Sequence, residues 1–287
     1  MKNDMKNRSF YFRPGDSILS EFAKSCDAEI MVKKDFMNNI EKYRGSKILV
    51  RGLRDRRVMH LALEYGIDYY YVETGYFGNL SKYYTDPKGK PILTTGKLFH
   101  RIVKNDVQFD KIIPRPNDRY KLAQKTIYKH QGVDWNKILL PWKKKGGTIL
   151  ICPPSLKSAH YFNIDAEVWT KKIVKRLKKN TDKEIRVRLK PRVRTLRLTE
   201  NIIQDDFDND VFAMVTYNSV AGIEAVMHGI PVFTLGPNAS RPMGLKRLSK
   251  INDPVYPNRE MWMRHLSYGQ FTVHEMKSPK IWRILDA

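Results

Sequence analysis

Cysteine is almost absent from this chain, and so are long apolar runs. Only Cys26 and Cys152 occur in 287 residues, too few for a disulfide framework and without the spacing of a metal-binding motif. No apolar stretch approaches the roughly 18–20 residues of a membrane-spanning helix, and residues 1–8 lack the apolar segment of a signal peptide. The sequence therefore predicts a soluble protein of a reducing cytoplasm that has no membrane segment.

Acidic residues are scarce relative to basic ones. The chain has 30 Asp and Glu against 53 Lys and Arg, a formal net charge of +23. A surplus of this size predicts a polyanionic partner, which is a nucleic acid, an anionic membrane or a phosphorylated substrate. Between Lys171 and Arg197 the only acidic residues are Asp182 and Glu184. Part of this run is the solvent-exposed face of an amphipathic helix that begins near Asp165. Such faces normally carry charges of both signs, whereas this one is almost entirely basic. We therefore favour duplex DNA as the partner.

Internal repeats and low-complexity tracts are also missing, which excludes a repeat architecture. The length suits two compact domains of about 140 residues each. Apolar runs and helical spacing predict two successive βαβ series, a rhythm typical of parallel sheets. Strands are predicted at 10–12, 30–32, 47–50, 69–72, 148–152, 185–189, 211–217 and 231–235, and helices at 54–64, from 165, at 219–228, at 258–268 and at 273–285.

The predicted fold class is α/β, with two Rossmann-like domains that face a central cleft. Residues 1–142 and residues 143–270 form the two expected domains. A helix within 271–287 is expected to cross back to the first domain. We expect the protein to be a monomer.

The most informative segment, residues 215–236, predicts a strand, a tight turn, a helix and a second strand. Asn218 and Ser219 are good helix N-cap residues, and with Val220 they place unpaired N–H groups where a phosphate can bind. Glu224 is the one ionised side chain between two strands of buried type, and it suits the hydroxyls of a ribose. The alternative is an ordinary strand–helix–strand unit with a solvated glutamate, because such units occur throughout α/β proteins.

This segment resembles the donor-binding unit of glycosyltransferases with the two-domain GT-B fold. In that family a Ser/Thr-rich turn precedes a helix of the pattern Glu-Ala-x-x-x-Gly-x-Pro-Val, and here Glu224, Ala225, Gly229, Pro231 and Val232 match it. The resemblance implies that Glu224 holds the ribose of a nucleotide sugar, with a UDP-sugar favoured, and that the helix N-terminus faces the diphosphate.

Several basic residues are candidates for the diphosphate. Arg188 and Lys190 fall on alternate positions of a predicted strand and would project from one face near its carboxyl end, where ligands bind in open α/β sheets. Lys190-Pro191 also resembles a Lys-Pro step of related transferases. Ser155, in a loop after the preceding strand, is a further candidate, and surface roles remain the alternative. Arg192 and Arg194 are candidates for the diphosphate or for nucleic acid.

Residues 205–210 are rich in aspartate but lack the spacing of a metal-binding loop. A solvated loop is the preferred interpretation of this segment. GT-B enzymes typically stabilise the diphosphate with cations and helix dipoles instead of a metal, and we predict no obligatory metal.

The acceptor site is predicted in the first half of the chain. Glu73, at a strand end beside a glycine-rich turn, is the leading candidate for the general base of an inverting transfer. Asp16, after Pro14-Gly15, is the second candidate and His100 the third. Aromatic residues beside cations suit an unstacked base, and the candidates are Tyr76, Phe77, Arg51, Arg54, Arg56 and Arg57.

The first half is also similar to bacteriophage-encoded proteins regarded as glycosyltransferases. The shared motifs lie at residues 51–52, 70–78, 100–105 and 115–119, and with residues 215–236 and 262–271 they cover most of the chain. Phages use basic GT-B enzymes to glycosylate hydroxymethylated pyrimidines in DNA, so the resemblance implies this activity in the host cytoplasm. The alternatives are a capsule or lipopolysaccharide glycosyltransferase, whose charge would face an anionic membrane, and a non-catalytic nucleic-acid-binding protein.

Overall fold

The computed structural model describes residues 7–78, 98–132, 134–190 and 203–286. In chain order the strands are β1 (Ser9–Tyr11), β2 (Glu29–Ile30), β3 (Lys47–Arg51), β4 (Asp68–Thr74), β5 (His100–Lys104), β6 (Thr148–Cys152), β7 (Glu184–Val187), β8 (Val211–Thr216), β9 (Val232–Thr234) and β10 (Gln270–Phe271). The helices are α1 (Ser17–Ala23), α2 (Lys33–Asn38), α3 (Arg56–Glu64), α4 (Asp118–Gln131), α5 (Leu156–Phe162), α6 (Ala166–Leu177), α7 (Ile203–Asp208), α8 (Ala221–Met227), α9 (Glu260–Tyr268), α10 (Val273–Met276) and α11 (Trp282–Leu285).

These residues form two compact units. The first unit contains residues 7–75, 98–107 and 268–286, and the second contains residues 76–78, 108–132, 134–190 and 203–267. The predicted boundary at residue 142 differs from this division, because the described part of 108–142 belongs to the second unit.

A six-stranded sheet in the order β10-β5-β4-β3-β1-β2 forms the centre of the first unit. β1, β2, β3 and β4 are parallel, whereas β5 is antiparallel to both β4 and β10. The parallel pairing predicted for the βαβ series is confirmed for β1 to β4, and the antiparallel β5 and β10 were not predicted. An antiparallel strand needs no crossover helix, and Ile102 and Val103 bury β5 against the core without one.

The C-terminal segment belongs to this first unit. Trp282 stacks on Phe22 with ring centroids 5.5 Å apart, meets Tyr70 edge-on at 4.8 Å, and donates its indole N–H to the Ser25 carbonyl oxygen. The single helix predicted over 273–285 is instead split into α10, a 3₁₀ turn at Pro279–Ile281, and α11. Pro279 lacks the N–H that would continue α10, which causes the break.

A four-stranded, fully parallel sheet in the order β7-β6-β8-β9 forms the centre of the second unit. Every residue of β6 and β8 is buried, as expected for central parallel strands covered on both faces. Ile173 and Leu177 of α6 pack against this sheet in a core that also contains Phe212 and Phe233.

Three elements of the second unit differ from the predictions. β7 ends at Val187, so Arg188 and Lys190 follow the strand instead of lying on it. Its neighbour β6 runs into Pro153 and Pro154, which have no N–H for further pairing. The acidic residues 205–210 are not a loop, because most of them lie on α7, which Ile203 and the fully buried Phe207 anchor to the core.

The third difference is the start of the helix after β8. α8 begins at Ala221, two residues later than predicted. The N–H groups of Gly222 and Ile223 bond the carbonyl oxygens of Ser219 and Val220 at 3.0 and 2.8 Å. These i to i+3 bonds tighten the entry to the helix into a 3₁₀ turn.

Candidate functional site

The loop after β8 lies at the carboxyl edge of the second unit's sheet and is held by buried side chains. Asn218 accepts a hydrogen bond from the Ser158 hydroxyl at 2.6 Å on its side chain and one from Gln108 Nε2 at 2.6 Å on its carbonyl. Asn238 Nδ2 donates to the Ser219 carbonyl at 2.8 Å. These bonds fix the backbone of the loop, so the buried side chain of Asn218 acts in positioning the turn.

Ser219 and Val220, the other predicted phosphate-contacting residues of this turn, are half-buried. The Ser219 N–H donates to Thr216 Oγ1 at 3.3 Å, and its hydroxyl accepts from the Ala221 N–H at 3.3 Å. Ser155, after β6, caps α5 by accepting from the Ser158 N–H at 3.4 Å. Ser155 and Ser219 therefore stabilise the N-terminal ends of α5 and α8 at the same edge of the sheet.

Glu224 projects from α8 into a partly buried position. Gln204 Nε2 donates to its carboxylate at 3.4 Å. Burial raises the pKa of this carboxyl, opposed first by the charge of Arg188 and more weakly by the Gln204 hydrogen bond and by Lys190. The structure thus brings the predicted ribose-binding carboxylate and two predicted diphosphate-binding cations within electrostatic reach of each other.

The helix α7 supports Glu224 and Arg188. Gln204 donates to Glu224, and two residues later Asp206 forms an ion pair with the Arg188 side chain and lies 3.7 Å from Arg186 Nη2. The Arg188 backbone N–H also bonds the Ile151 carbonyl at 2.8 Å. Arg188 is therefore fixed at both its backbone and its side chain, whereas Lys190 is exposed.

The remaining donor-side predictions have no structural test. Arg192 and Arg194 lie outside the described residues. Within the described ranges, no three His, Cys, Asp or Glu side chains form a group that could hold a metal ion. The prediction of no obligatory metal stays a prediction.

Asp16, in the first unit, caps α1. Its carboxylate accepts from the Leu19 N–H at 3.1 Å and is paired with Arg51. Burial alone would raise the pKa of this carboxyl, but the Leu19 N–H and the Arg51 guanidinium outweigh it and leave the pKa below the usual value. A carboxylate held in this way is a weak proton acceptor, so Asp16 is better suited to structure than to general-base chemistry.

Glu73 lies near the end of β4, beside the ends of β3 and β5. Its carboxylate accepts from the Thr74 N–H at 3.0 Å, and an added Cβ at Gly52 would lie 3.8 Å from Glu73 Oε2. Across the sheet Glu73 is opposite Arg101, whose guanidinium donates to the Thr74 carbonyl at 2.8 Å. His100 is opposite Thr74 and is buried. The two candidate bases Glu73 and His100 therefore occupy the same corner of the first sheet.

The predicted nucleic-acid residues fall in different environments. Arg51 is half-buried and paired with Asp16, whereas Arg54 and Arg57 are exposed and Arg56 is half-buried at the start of α3. The aromatic pair lies inside the second unit: the Tyr76 hydroxyl accepts from the Phe109 N–H at 3.1 Å, and the Phe77 ring meets Trp135 at 5.6 Å. Both rings are almost fully buried, so neither offers a free face to a base.

Sequence reasoning missed the residues that hold the site in place. Gln108 and Asn238 bridge the loops after β8 and β9, since Gln108 also accepts from the Ala239 N–H at 3.3 Å. Gln204 and Asp206 lie in a segment that the sequence marked only as acidic. None of these residues belongs to a short motif. The only signal in the sequence was a polar residue beside apolar neighbours, which is typical of a buried segment.

Comparison with known proteins shows the fold. No protein-family model and no curated protein matches the sequence. Two solved structures of Thermosulfurimonas dismutans are similar over the whole length. The KpsC beta Kdo 2,4 transferase has a TM-score of 0.50 and 14% identity over 97% of this chain and 98% of that chain. The KpsC beta Kdo 2,7 transferase has a TM-score of 0.51 and 10% identity over 98% of this chain and 99% of that chain. The chain therefore shares its overall fold with these two transferases.

Among the helices that the structure describes, none has both the length and the apolar composition to cross a membrane.

Proposed function

We propose that this protein is a GT-B glycosyltransferase that uses a nucleotide-sugar donor. One observation carries the proposal: Glu224 and Arg188 share the carboxyl edge of a parallel sheet, in a fold common to two sugar transferases over nearly their whole length. Ligands of open α/β sheets bind at this edge. Glu224 would accept hydrogen bonds from the ribose, and Arg188 and Lys190 would compensate the charge of the diphosphate leaving group. We expect a UDP-sugar and no obligatory metal.

Glu73 is the proposed general base. It lies near the end of β4, where its carboxylate accepts from the Thr74 N–H at 3.0 Å beside the positive-φ Gly52 that follows β3. In the proposed inverting transfer, Glu73 takes the proton of the acceptor hydroxyl while that oxygen attacks the anomeric carbon. The bond between the sugar and the diphosphate breaks, and the diphosphate leaves with the electron pair.

The proposed acceptor is a 5-hydroxymethylpyrimidine in duplex DNA. The net charge of +23 supports this choice, because phosphate contacts would hold the duplex without reading its sequence. The target base would be flipped out of the stack to expose its hydroxyl. The second candidate is a carbohydrate acceptor in capsule or lipopolysaccharide synthesis, which the two Kdo transferases of similar fold favour.

Incubation with a panel of nucleotide sugars tests the proposal. The panel includes UDP-sugars and activated Kdo, and the acceptors are DNA with hydroxymethylcytosine, hydroxymethyluracil or plain pyrimidines, and a set of oligosaccharides. Mass spectrometry of nucleosides and oligosaccharides should show one added sugar on a hydroxymethylated nucleoside. A product on an oligosaccharide alone would establish the second candidate. Absence of product with every donor and acceptor, together with absence of nucleotide binding, would reject glycosyl transfer.

A further inference from the structure

The exposed face of α6, its C-cap residue Lys178 and the next residue, Lys179, together carry six cations. The outward-facing basic residues are Lys171, Lys172, Lys175, Arg176, Lys178 and Lys179. Within the described residues, the only ion pair of this set is Lys171 with Glu167, at 2.6 Å. With 3.6 residues per turn, Lys175 is one turn from Lys171, Lys172 and Lys179, so the cations form one continuous surface.

This surface is more basic than the stability of the helix requires. Lys175 and Arg176 lie in the last turn, where a cation interacts favourably with the helix dipole. Lys171 and Lys172 lie in the middle of the helix and gain little from that effect. Like charges at i and i+4, such as Lys172 and Arg176, destabilise a helix. A polyanion bound along this face would convert that repulsion into attraction.

We propose that the exposed face of α6 binds the phosphate backbone of duplex DNA. A membrane surface fits less well, because interfacial helices insert an apolar face. Here that face is already used: Ile173 and Leu177 are buried in the core of the second unit. Val168 is the only large apolar side chain of α6 that is strongly exposed, at 61%. A basic surface that has no exposed apolar face suits the phosphates of dissolved DNA better than the headgroups of a membrane.

The choice of DNA as the partner rests on the proposed function. The position of the binding face on α6 does not, because binding is measured without a sugar donor. The test variant replaces Lys172, Lys175 and Lys179 with Gln. The matched control replaces Lys121, Lys125 and Lys129 with Gln, three exposed lysines on α4. Each variant lowers the formal net charge by three, from +23 to +20. A difference between the two variants therefore reports the location of the charge and not its sum.

The measurement is the affinity for an unmodified duplex as a function of salt concentration. Each lost phosphate contact lowers the magnitude of the log–log slope by about 0.9, so the α6 variant should lose about 2–3 in slope and at least about tenfold in affinity. The α4 control should retain most of both. Equal losses in the two variants, or no duplex binding by the unmodified protein, would overturn the inference. The inference would also be overturned if binding to phosphatidylserine vesicles depended on the lysines of α6 while binding to the duplex did not. Sugar transfer to an oligosaccharide would leave the result on α6 unchanged.

Discussion

Glu224 shows how a single residue can be placed for binding at the expense of folding stability. Its carboxyl is partly buried, and the group that faces it most strongly, Arg188, is already paired with Asp206. The hydrogen bond that it receives from Gln204 is long, at 3.4 Å, and burial of a carboxylate so weakly compensated is unfavourable. A bound ribose would supply the missing hydrogen-bond donors. Such a residue is expected in a ligand site, where stability and activity often conflict.

Replacement of Glu224 with Gln should therefore weaken nucleotide binding and stabilise the protein. Hydrogen bonds to a charged group contribute about 1.5–3 kcal/mol, so the Kd for UDP should rise about ten- to a hundredfold. Isothermal titration with UDP measures this change. Glu64→Gln, the same replacement at an exposed position of α3, is the control and should leave the Kd unchanged. An unaltered Kd in the Glu224 variant would remove this residue from the donor site.

The pH dependence of stability gives a second readout of the same variant. Because the pKa of Glu224 is raised by folding, its contribution to stability is fully present below the ordinary glutamate pKa and is lost as the pH rises through the folded pKa. Glutamine does not titrate. The difference in Tm, variant minus unmodified protein, should become more positive between about pH 4 and about pH 8. A constant difference would contradict a raised pKa at this position.

At the scale of elements, local patterns predicted the central strands well and the edges poorly. β6 was predicted at its observed bounds because its residues after Thr148 form a continuous apolar run, and the whole strand is buried. α7 was missed because only Ile203 and Phe207 anchor it, and its aspartates suggest solvent. The end of β7 was predicted two residues too late, since the prolines after β6 limit pairing from the neighbouring strand. Element boundaries depend on neighbours that are distant in sequence, and periodicity does not report them.

The junction from α8 to β9 depends on Gly229. It adopts a φ of +76°, and an added Cβ would lie 1.9 Å from the Pro141 carbonyl oxygen. Gly132, after α4, has a φ of +65° with no atom within 4 Å of an added Cβ. Alanine at either position costs about 1–2 kcal/mol through the left-handed backbone.

Gly229→Ala should therefore destabilise the protein much more than Gly132→Ala. A clash with a backbone atom cannot be relieved by a rotamer change, so the loss at Gly229 should exceed about 3 kcal/mol. Urea unfolding measures both variants, with the shift in midpoint at constant m-value as the readout. Similar losses in the free energy of unfolding at the two positions would show that the close approach of Gly229 to the Pro141 carbonyl does not contribute to stability.

At the scale of the whole molecule, the order of apolar runs and helical segments predicted the α/β class, and the composition predicted the basic character. Neither predicted how the chain is divided. β10, near the C-terminus, pairs with β5 and thereby joins the first unit's sheet. The described part of residues 108–142 belongs to the second unit, where Gln108 supports the loop after β8. Both features result from pairing between segments far apart in sequence, and no local pattern encodes such partners.

The surplus of positive charge should also make the stability of the isolated protein depend on salt. A net charge of +23 repels itself more strongly in the folded state than in the expanded unfolded chain. The Debye length falls from about 30 Å at 0.01 M salt to about 10 Å at 0.1 M, so sodium chloride should raise the Tm by about 2–5 °C over this range. The two triple-glutamine variants, with their smaller net charge, should both show a smaller rise. A non-electrolyte at equal osmolality controls for general solvent effects and should change the Tm less. A Tm that stays constant or falls with salt would mean that local ion pairs, which screening weakens, outweigh the repulsion of the whole molecule.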